Sequence, residues 1–476
     1  MNDFAPLGGV WWRADDPSRK LAGSLHRDNG WWRLELVGEL TYQRSATYGY
    51  AMELPPVLHG AAHGRVFTLR HTRFLGSRGP TWPPAVYDGA DLIEELQSTQ
   101  TWGAFDLLES IHATESTLYQ FASFSLSGLE WFWQYSGIRG RFNVDSKNEY
   151  VTPTKTEVSV REGYRVSVEA LTTSRRGLRS SGFEERVVVR VSKDGGFTIV
   201  DLEEKVIGPL RALLTICLGQ RVDSFGLEIF PLDEMLANPR STVTVNPNIT
   251  PASSVWQRNP QFEVFTSASP QVDVATLISR WIDLTAEISS PAYVLENRQP
   301  SELQQSVVHV VNAAEALHHY LHSSEDENKD TAEKVRNLLA EHNMFNSKKR
   351  RDIRDTLIRR IKLEDRLRAL VYECGDEHFA SWLVNGDADQ WAYVAAKARN
   401  VLAHGLHTDL GLETDFAAQT AVLETTRVVL MARLLTLCGV PADSGLFARD
   451  GRFLAVLHQQ LAEWRELATK LGRQEE

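Results

Sequence analysis

The sequence predicts an α+β protein, in which a β-rich region with mixed, sandwich-like sheets precedes an all-α helical bundle. Short stretches in which apolar and polar residues alternate dominate the chain up to about residue 270. From Ser301 onward, apolar residues instead recur every three or four positions, as on one face of a helix. A chain of 476 residues is also long for one domain. We therefore expect a β-rich domain at 1–270, a helical bridge at 271–300 and a helical domain at 301–471.

Candidate strands in the first region are bounded by turn residues. Gly30–Gly38 and Arg65–Arg70 alternate as half-buried strands do. The pairs Trp11-Trp12 and Trp31-Trp32 fit packing between sheets, and stacking on bases or sugars is the alternative. Further strands are predicted at Thr156–Val160, Tyr164–Ala170, Arg186–Ser192, Gly226–Phe230, Thr242–Val245 and Phe262–Phe265.

A few helices interrupt this β-rich region. Asp201–Leu218 is predicted as an amphipathic helix that breaks slightly at Gly208-Pro209. Asp91–Leu96 and Leu118–Tyr135 are further helix candidates. The region carries no glycine-rich phosphate loop, nucleophile elbow or paired CxxC motif. By elimination, we expect it to sense a signal or bind a partner.

The composition is that of an ordinary globular protein. The net charge of −11 argues against a protein that coats nucleic acid, so an RNA site must be a local basic patch. The sequence shows neither an apolar run long enough for a bilayer nor a signal pattern at Met1. The three cysteines, Cys217, Cys374 and Cys438, lie far apart in apolar surroundings. They predict buried thiols in a reducing cytoplasm, where we expect the protein to act.

The first helix of the second region combines an apolar stripe with histidines. The stripe predicts a buried face. Glu315 and His318 have the spacing of a carboxylate–histidine metal pair, and Glu109 and His112 repeat it. The two pairs fall in different predicted domains, so we favour surface histidines and expect no metal. The stripe comprises Val307, Val308, Val311, Ala314, Leu317 and Leu321, and His319 and His322 flank it.

A strongly basic segment follows at residues 348–368, with ten basic and four acidic residues. Ile353, Leu357, Ile361 and Leu367 fit one face of a continuous helix. The segment could form an electrostatic track for RNA phosphates, or a solvated helix with internal ion pairs. The residues predicted to bind RNA are Lys348, Lys349, Arg350, Arg351, Arg354, Arg359 and Arg360.

One short motif carries the candidate chemistry. The alanine-rich stretch that ends in Arg399-Asn400-Val401-Leu402-Ala403-His404-Gly405 predicts the end of a helix, closed by Gly405. Asn400 and His404 are four residues apart and therefore share a face. Arg399 lies about 100° from Asn400 around the helix, so its long side chain reaches the same side. A cation, an amide and an imidazole are thus expected to converge at one exposed terminus.

Such a trio suits the cleavage of RNA, which supplies its own nucleophile in the 2′-hydroxyl. The His404 imidazole would transfer protons, and the Arg399 guanidinium would bind phosphate and stabilise the transition state. Asn400 would position the substrate or the histidine. The alternative is that Arg399 and His404 only complement the helix dipole. A bare Arg-x4-His pattern occurs by chance in a chain of this length, whereas Arg-Asn-x3-His at the end of an alanine-rich helix is much rarer.

The segment Arg399–His404 resembles the RNxxxH signature of HEPN domains, the helical fold of many prokaryotic defence and toxin ribonucleases. The surrounding segments resemble the HEPN module of ApeA-like anti-phage proteins, and the N-terminal half resembles the β-rich domain that precedes it there. Leu406 stands where HEPN toxins that are AMPylated carry a tyrosine, which argues against a toxin–nucleotidyltransferase pair. The resemblance implies a metal-independent endoribonuclease without cofactors, acting in abortive infection. A non-catalytic sensor or scaffold that binds RNA, a nucleotide or a phage protein is the alternative.

The resemblance also implies partners for the site. Glu315 would point inward, meet Arg399 and orient the catalytic residues. One imidazole does not easily act at both ends of an in-line displacement, so a second copy would complete the site in a homodimer or a higher even oligomer. RNA is the expected substrate, with tRNA as one candidate, and a phage-derived molecule the expected trigger. Thr414–Leu437 is predicted to form a bundle core or a dimer seam, and Gly451–Leu471 a final helix.

Overall fold

The structure is a computed structural model in which the chain divides into two compact units. One unit comprises residues 1–208 and 222–258, and the other 209–221 and 259–476. The domain boundaries at residues 270 and 300 remain predictions. The residues that the structure describes are 6–28, 31–40, 57–78, 99–104, 106–133, 138–139, 149–150, 156–176, 181–232, 243–247, 272–296, 302–322, 337–338, 349, 362–374, 388–405 and 412–440.

The first unit is dominated by β-structure, and every pairing among its described strands is antiparallel. In chain order the strands are β1 (Leu7–Arg13), β2 (Asp16–Asp28), β3 (Trp31–Val37), β4 (Val57–Ala62), β5 (Arg65–Arg70), β6 (Arg73–Arg78), β7 (Thr99–Ala104), β8 (Asp106–Glu109), β9 (Tyr119–Leu126), β10 (Ile138–Arg139), β11 (Glu149–Tyr150), β12 (Thr156–Ser159), β13 (Tyr164–Arg176), β14 (Ser181–Phe197), β15 (Ser224–Pro231) and β16 (Val243–Pro247). Strands β10 and β11 form a separate pair, and the others form one sheet in the order β12-β13-β14-β9-β15-β16-β8-β5-β4-β1-β2-β3-β7-β6. The predicted fold class is confirmed.

Tryptophan side chains form much of one hydrophobic core of the large sheet in the first unit. Trp11 and Trp32 are buried together with Trp102, which confirms the packing interpretation for these side chains. A β-carbon on Gly60 of β4 would lie 2.2 Å from the Trp11 ring, so only glycine lets strand and ring approach this closely. Trp31 is only half-buried, and the Arg73 guanidinium covers its ring at 4.2 Å.

The helix predicted over Leu118–Tyr135 is wrong. Tyr119–Leu126 is strand β9, which pairs with β14 on one side and β15 on the other. Among the described residues of this span, only Leu129–Phe132 forms a short helix, α1. Aromatic residues spaced by two or three positions fit a strand and a helix about equally well over so short a stretch. The pairing with distant strands decided between them.

The helix predicted at Asp201–Leu218 is confirmed, with an irregular middle. Helix α2 (Ile199–Leu202) begins with a capping box, in which Thr198 and Asp201 satisfy each other's backbone N–H groups. A π-helical turn at Glu203–Ile207 follows, and α3 (Gly208–Leu218) continues to the end. Since Pro209 has no N–H to donate, the hydrogen-bond ladder changes register at this point.

Two histidines of the first unit are expected to respond to pH in opposite directions. His59 is buried, and its Nε2 lies 2.9 Å from the Ala113 carbonyl oxygen. Burial lowers the pKa of His59, the contact with Ala113 opposes this, and the nearby His112 lowers it further. For His71, a hydrogen bond with Asp106 raises the pKa.

The folded protein thus binds a proton at His59 less readily than the unfolded chain does. His59 contributes stability above about pH 6.5, and this is lost as the pH falls below that value. His71 contributes stability below about pH 6.5, and this is lost as the pH rises through its raised pKa. We expect His59→Gln to lessen the fall in the thermal unfolding midpoint on acidification from about pH 7.5 to about 5.5, and His71→Gln to steepen it. Unchanged pH dependence in both variants would contradict this account.

The second unit is helical. Its described helices are α3, α4 (Val274–Glu287), α5 (Ser290–Glu296), α6 (Leu303–Leu321), α7 (Leu363–Tyr372), α8 (Ala388–His404) and α9 (Phe416–Leu437). Helix α6 contacts α5, α7, α8 and α9. None of the helices in the described part of the chain is long and apolar enough to cross a membrane. All three cysteines are buried and free, as predicted.

Helix α9 is the core of this bundle. Side chains around its whole circumference are buried within the single chain, among them Val422, Val429, Leu430 and Leu435. The prediction left a bundle core and a dimer seam open for this helix, and the burial favours the core. The segments Asp91–Leu96, Phe262–Phe265 and Gly451–Leu471, predicted as helices or strands, lie outside the described residues.

Candidate active site

The helix that carries the signature, α8, is anchored by its small and apolar face. Trp391, Ala395, Ala398 and Val401 are buried, and the alanines let neighbouring helices approach closely. The Trp391 indole Nε1 donates a hydrogen bond of 3.0 Å to Thr425 Oγ1 on α9. The helix thus has a fixed position in the bundle, and Asn400, Ala403 and His404 in and near its last turn are exposed to solvent.

The Arg399 guanidinium is held in one orientation by three side chains. Its Nε donates to Asn312 Oδ1 of α6 at 2.9 Å, and its Nη1 donates to Asn400 Oδ1 at 2.9 Å. Its Nη2 lies 4.0 Å from Glu315 Oε2, also on α6. The Arg399 side chain keeps 28% of its surface exposed. A guanidinium fixed in this way, yet still open to solvent, can bind an anion without first being ordered.

Glu315 lies between two arginines. Its Oε1 accepts a hydrogen bond of 3.0 Å from Arg366 Nη1 of α7, while Oε2 faces Arg399. One carboxylate therefore serves two guanidiniums, and one positive charge in the group stays uncompensated. Since Glu315 is 32% exposed, this network adds only about 0–1 kcal/mol to the free energy of unfolding. Its effect is to place Arg399, and a role of Glu315 in orienting the site stays a prediction.

His404 and Asn400 are exposed at the C-terminal end of α8. His404 is the last residue of the helix, and Gly405 follows with a φ of 61°, the left-handed conformation expected of a helix-closing glycine. Among the described residues, no group forms a hydrogen bond with the His404 imidazole. The Asn400 amide nitrogen points away from the bond that its oxygen accepts from Arg399. Both side chains are thus accessible to a substrate, and their catalytic roles remain predictions.

The basic segment differs from the continuous helix predicted over residues 348–368. Helix α7 begins only at Leu363, because Lys362 has an extended backbone with ψ of 155°. Within the segment, Arg366 is paired with Glu315, and Arg368 contacts Asp365 and Asp389. Only the contact between Arg368 and Asp365 matches the alternative of internal ion pairs, because Glu315 and Asp389 belong to other helices.

The RNA-binding prediction for this segment remains open. Lys349 is exposed and helical. The other residues predicted to bind RNA lie outside the described part of the chain, namely Lys348, Arg350, Arg351, Arg354, Arg359 and Arg360.

The two spacings that resembled metal pairs serve other contacts. Glu109 forms an ion pair with Arg65, and His112 Nε2 lies 3.0 Å from the Gly60 carbonyl oxygen. Glu315 faces arginines rather than His318. His318 instead lies beside His322, whose Nε2 is 2.7 Å from Glu373 Oε1. These three side chains form a cluster, and its glutamate is not the one that the Glu-x-x-His spacing indicated.

Two residues of the site were missed in the sequence. Asn312 contacts Arg399, and Arg366 shares the carboxylate of Glu315. The sequence does contain a pattern that could have indicated Asn312. Asn312 and Glu315 are three residues apart, and they are the polar members of the run Val310-Val311-Asn312-Ala313-Ala314-Glu315. Arg366 gives no such signal, because it is one of ten basic residues in its segment.

Comparisons with known protein families match both parts of the chain. The model of ApeA N-terminal domain 1 matches residues 7–251, and the model of the Apea-like HEPN domain matches residues 308–444. No curated protein and no solved structure matches the chain significantly. The second match contains the whole group around Arg399, and it suggests a HEPN-type function in defence against phage. The first match alone spans more than half of the chain, which therefore belongs to the ApeA-like proteins, with a C-terminal HEPN domain.

Proposed function

We propose that this protein is an endoribonuclease of an anti-phage defence system and that it cuts RNA without a catalytic metal. The proposal is supported above all by the orientation of Arg399, which Asn312, Asn400 and Glu315 hold at the solvent-exposed end of α8. A guanidinium placed there can bind the scissile phosphate and stabilise the charge that develops on it.

The reaction needs one base and one acid besides this cation. One His404 imidazole accepts the proton of the 2′-hydroxyl, and O2′ attacks the adjacent phosphorus. The bond from phosphorus to O5′ breaks, and O5′ takes a proton from a second, protonated imidazole. The products are a 2′,3′-cyclic phosphate and a 5′-hydroxyl end. Asn400 positions the phosphate or the base through its amide nitrogen.

The second imidazole would come from a second copy of the chain. The entering O2′ and the leaving O5′ lie on opposite sides of phosphorus, so one ring cannot easily reach both. A two-fold axis beside the exposed end of α8 would bring two His404 rings and two Arg399 guanidiniums to one cleft. Helix α9 is buried within its own chain, so this interface would not form along α9.

The chemistry can be tested on the RNA ends that the protein leaves. RNA from infected cells that express the protein would be sequenced after ligation reactions selective for 2′,3′-cyclic phosphate and for 5′-hydroxyl ends. We expect new pairs of such ends at adjacent nucleotides, absent from infected cells without the protein. Purified protein with its trigger should give the same ends in the presence of a chelator, at a temperature well below the unfolding transition.

Other outcomes would contradict this mechanism or favour the alternative function. Ends with a 3′-hydroxyl and a 5′-phosphate, or cleavage that the chelator stops, would contradict the metal-independent mechanism. Salt-sensitive RNA binding without any strand scission, even with the trigger present, would favour the non-catalytic sensor or scaffold.

A further inference from the structure

A second cluster of functional side chains lies on the same bundle, beyond the group around Arg399. His318 lies in the last turn of α6, His322 directly follows this helix, and Glu373 directly follows α7. The ligand atoms of these three side chains all lie within 4.8 Å of one another. The two imidazole rings are stacked, with their centroids 4.3 Å apart, and His322 Nε2 is 2.7 Å from Glu373 Oε1.

We propose that His318, His322 and Glu373 form a binding site for a divalent transition-metal ion, with zinc as the best-suited ion. Two histidines four residues apart on a helix, joined by a carboxylate from another element, are a ligand set that zinc takes with a fourth position open. In a tetrahedral zinc site with ligand distances of about 2 Å, two ligand atoms lie roughly 3.3 Å apart. Side-chain rotations that move these atoms by less than about 1 Å would therefore complete the site.

The surroundings of Glu373 support this assignment. Arg433 of α9 lies 3.0 Å from Glu373 Oε2 and donates a hydrogen bond of 3.0 Å to the Glu373 backbone oxygen. The guanidinium therefore orients the carboxylate and leaves Oε1 directed at His322, as outer partners commonly do for metal-binding carboxylates. An ion on Oε1 would have the carboxylate group between itself and the positive charge of Arg433.

The cluster is also sheltered enough to hold an ion. His318 is 5% exposed, and the side chains of His322 and Glu373 are 22% and 26% exposed. The neighbouring thiol of Cys374 is buried and directed to the Leu370 carbonyl oxygen at 3.3 Å, so it is engaged elsewhere. A bound ion would join the end of α6 to the end of α7 through three ligands from two helices.

This site would stand apart from the proposed cleavage reaction. Glu315, which faces Arg366 and Arg399, lies one helical turn before His318 on α6. An ion at the cluster would hold α6 against α7 next to that contact and leave the His404 imidazole untouched. The proposal therefore does not rest on the nuclease function, and a His404→Ala variant is expected to bind zinc as the wild type does.

Metal binding by the full-length chain tests the proposal. Protein freed of metal would be titrated with Zn²⁺ and, separately, with Co²⁺, whose visible absorption reports bound nitrogen and oxygen ligands. We expect one ion per chain and a rise in the thermal unfolding midpoint with zinc. His322→Gln and Glu373→Gln should each weaken binding by at least about tenfold and remove the rise, because each deletes a ligand.

His319→Gln is the matched control, since it makes the same substitution at an exposed position next to His318. It should bind zinc as the wild type does. All variants would be compared by their unfolding transitions without metal, so that a general loss of folding is recognised. Zinc binding that survives both ligand substitutions, or a wild-type chain that binds no zinc at micromolar concentrations, would overturn the proposal.

Discussion

Replacing His404 with alanine is expected to lower the rate of RNA cleavage by roughly 10²- to 10⁴-fold, the usual contribution of a general acid or base. Because His404 is exposed at the end of α8 and is not hydrogen-bonded to any described residue, the free energy of unfolding should stay within about 0.5 kcal/mol of the wild-type value. The measurement is single-turnover cleavage of RNA by purified protein with its trigger, alongside thermal unfolding.

A histidine elsewhere in the same unit provides the control. His319→Ala removes another exposed imidazole and should leave cleavage unchanged. Mixing wild type with an excess of His404→Ala gives a further test, since mixed dimers would hold only one of the two imidazoles. If the excess fails to suppress the wild-type rate, the site does not need two copies. Unchanged cleavage by His404→Ala itself would remove this residue from the reaction altogether.

Replacing Glu315 with alanine is expected to lower the rate of RNA cleavage strongly and the free energy of unfolding only slightly. We expect roughly a 10²-fold fall in the rate of cleavage, since a misplaced guanidinium loses the geometry of the transition state. Arg399 keeps its bonds to Asn312 and Asn400 but loses the carboxylate, and Arg366 loses the same partner. Because the network is partly exposed, the free energy of unfolding should fall by no more than about 1 kcal/mol.

Two further variants sharpen this test. Glu315→Gln keeps one acceptor oxygen and should restore part of the rate. Glu302→Ala removes an exposed glutamate near the start of the same helix and should have no effect. The substrate concentration dependence would be measured for each variant, because a positioning residue should change the rate of the chemical step more than binding. A large loss of stability with an unchanged cleavage rate would show that Glu315 only joins helices.

Local patterns in the sequence predicted most elements well where the periodicity was unambiguous. The strand β3 alternates cleanly, and α8 combines alanines with a closing glycine, Gly405. The pattern failed at Tyr119–Leu126, where the strand is held between β14 and β15 from distant parts of the chain. It failed again at Lys362, whose extended backbone interrupts the helix predicted for the basic segment.

The sequence by itself determined that Arg399, Asn400 and His404 lie together, because helix periodicity places them at one helix end regardless of the rest of the fold. It also placed Glu315 next to an apolar stripe. Only the tertiary structure decided that the Asn312 amide meets the guanidinium, and that Arg366 shares the carboxylate of Glu315. These contacts join α6, α7 and α8. The residues in contact are far apart in the sequence, and no periodic pattern relates them. They depend on how three buried faces pack, which short-range patterns do not encode.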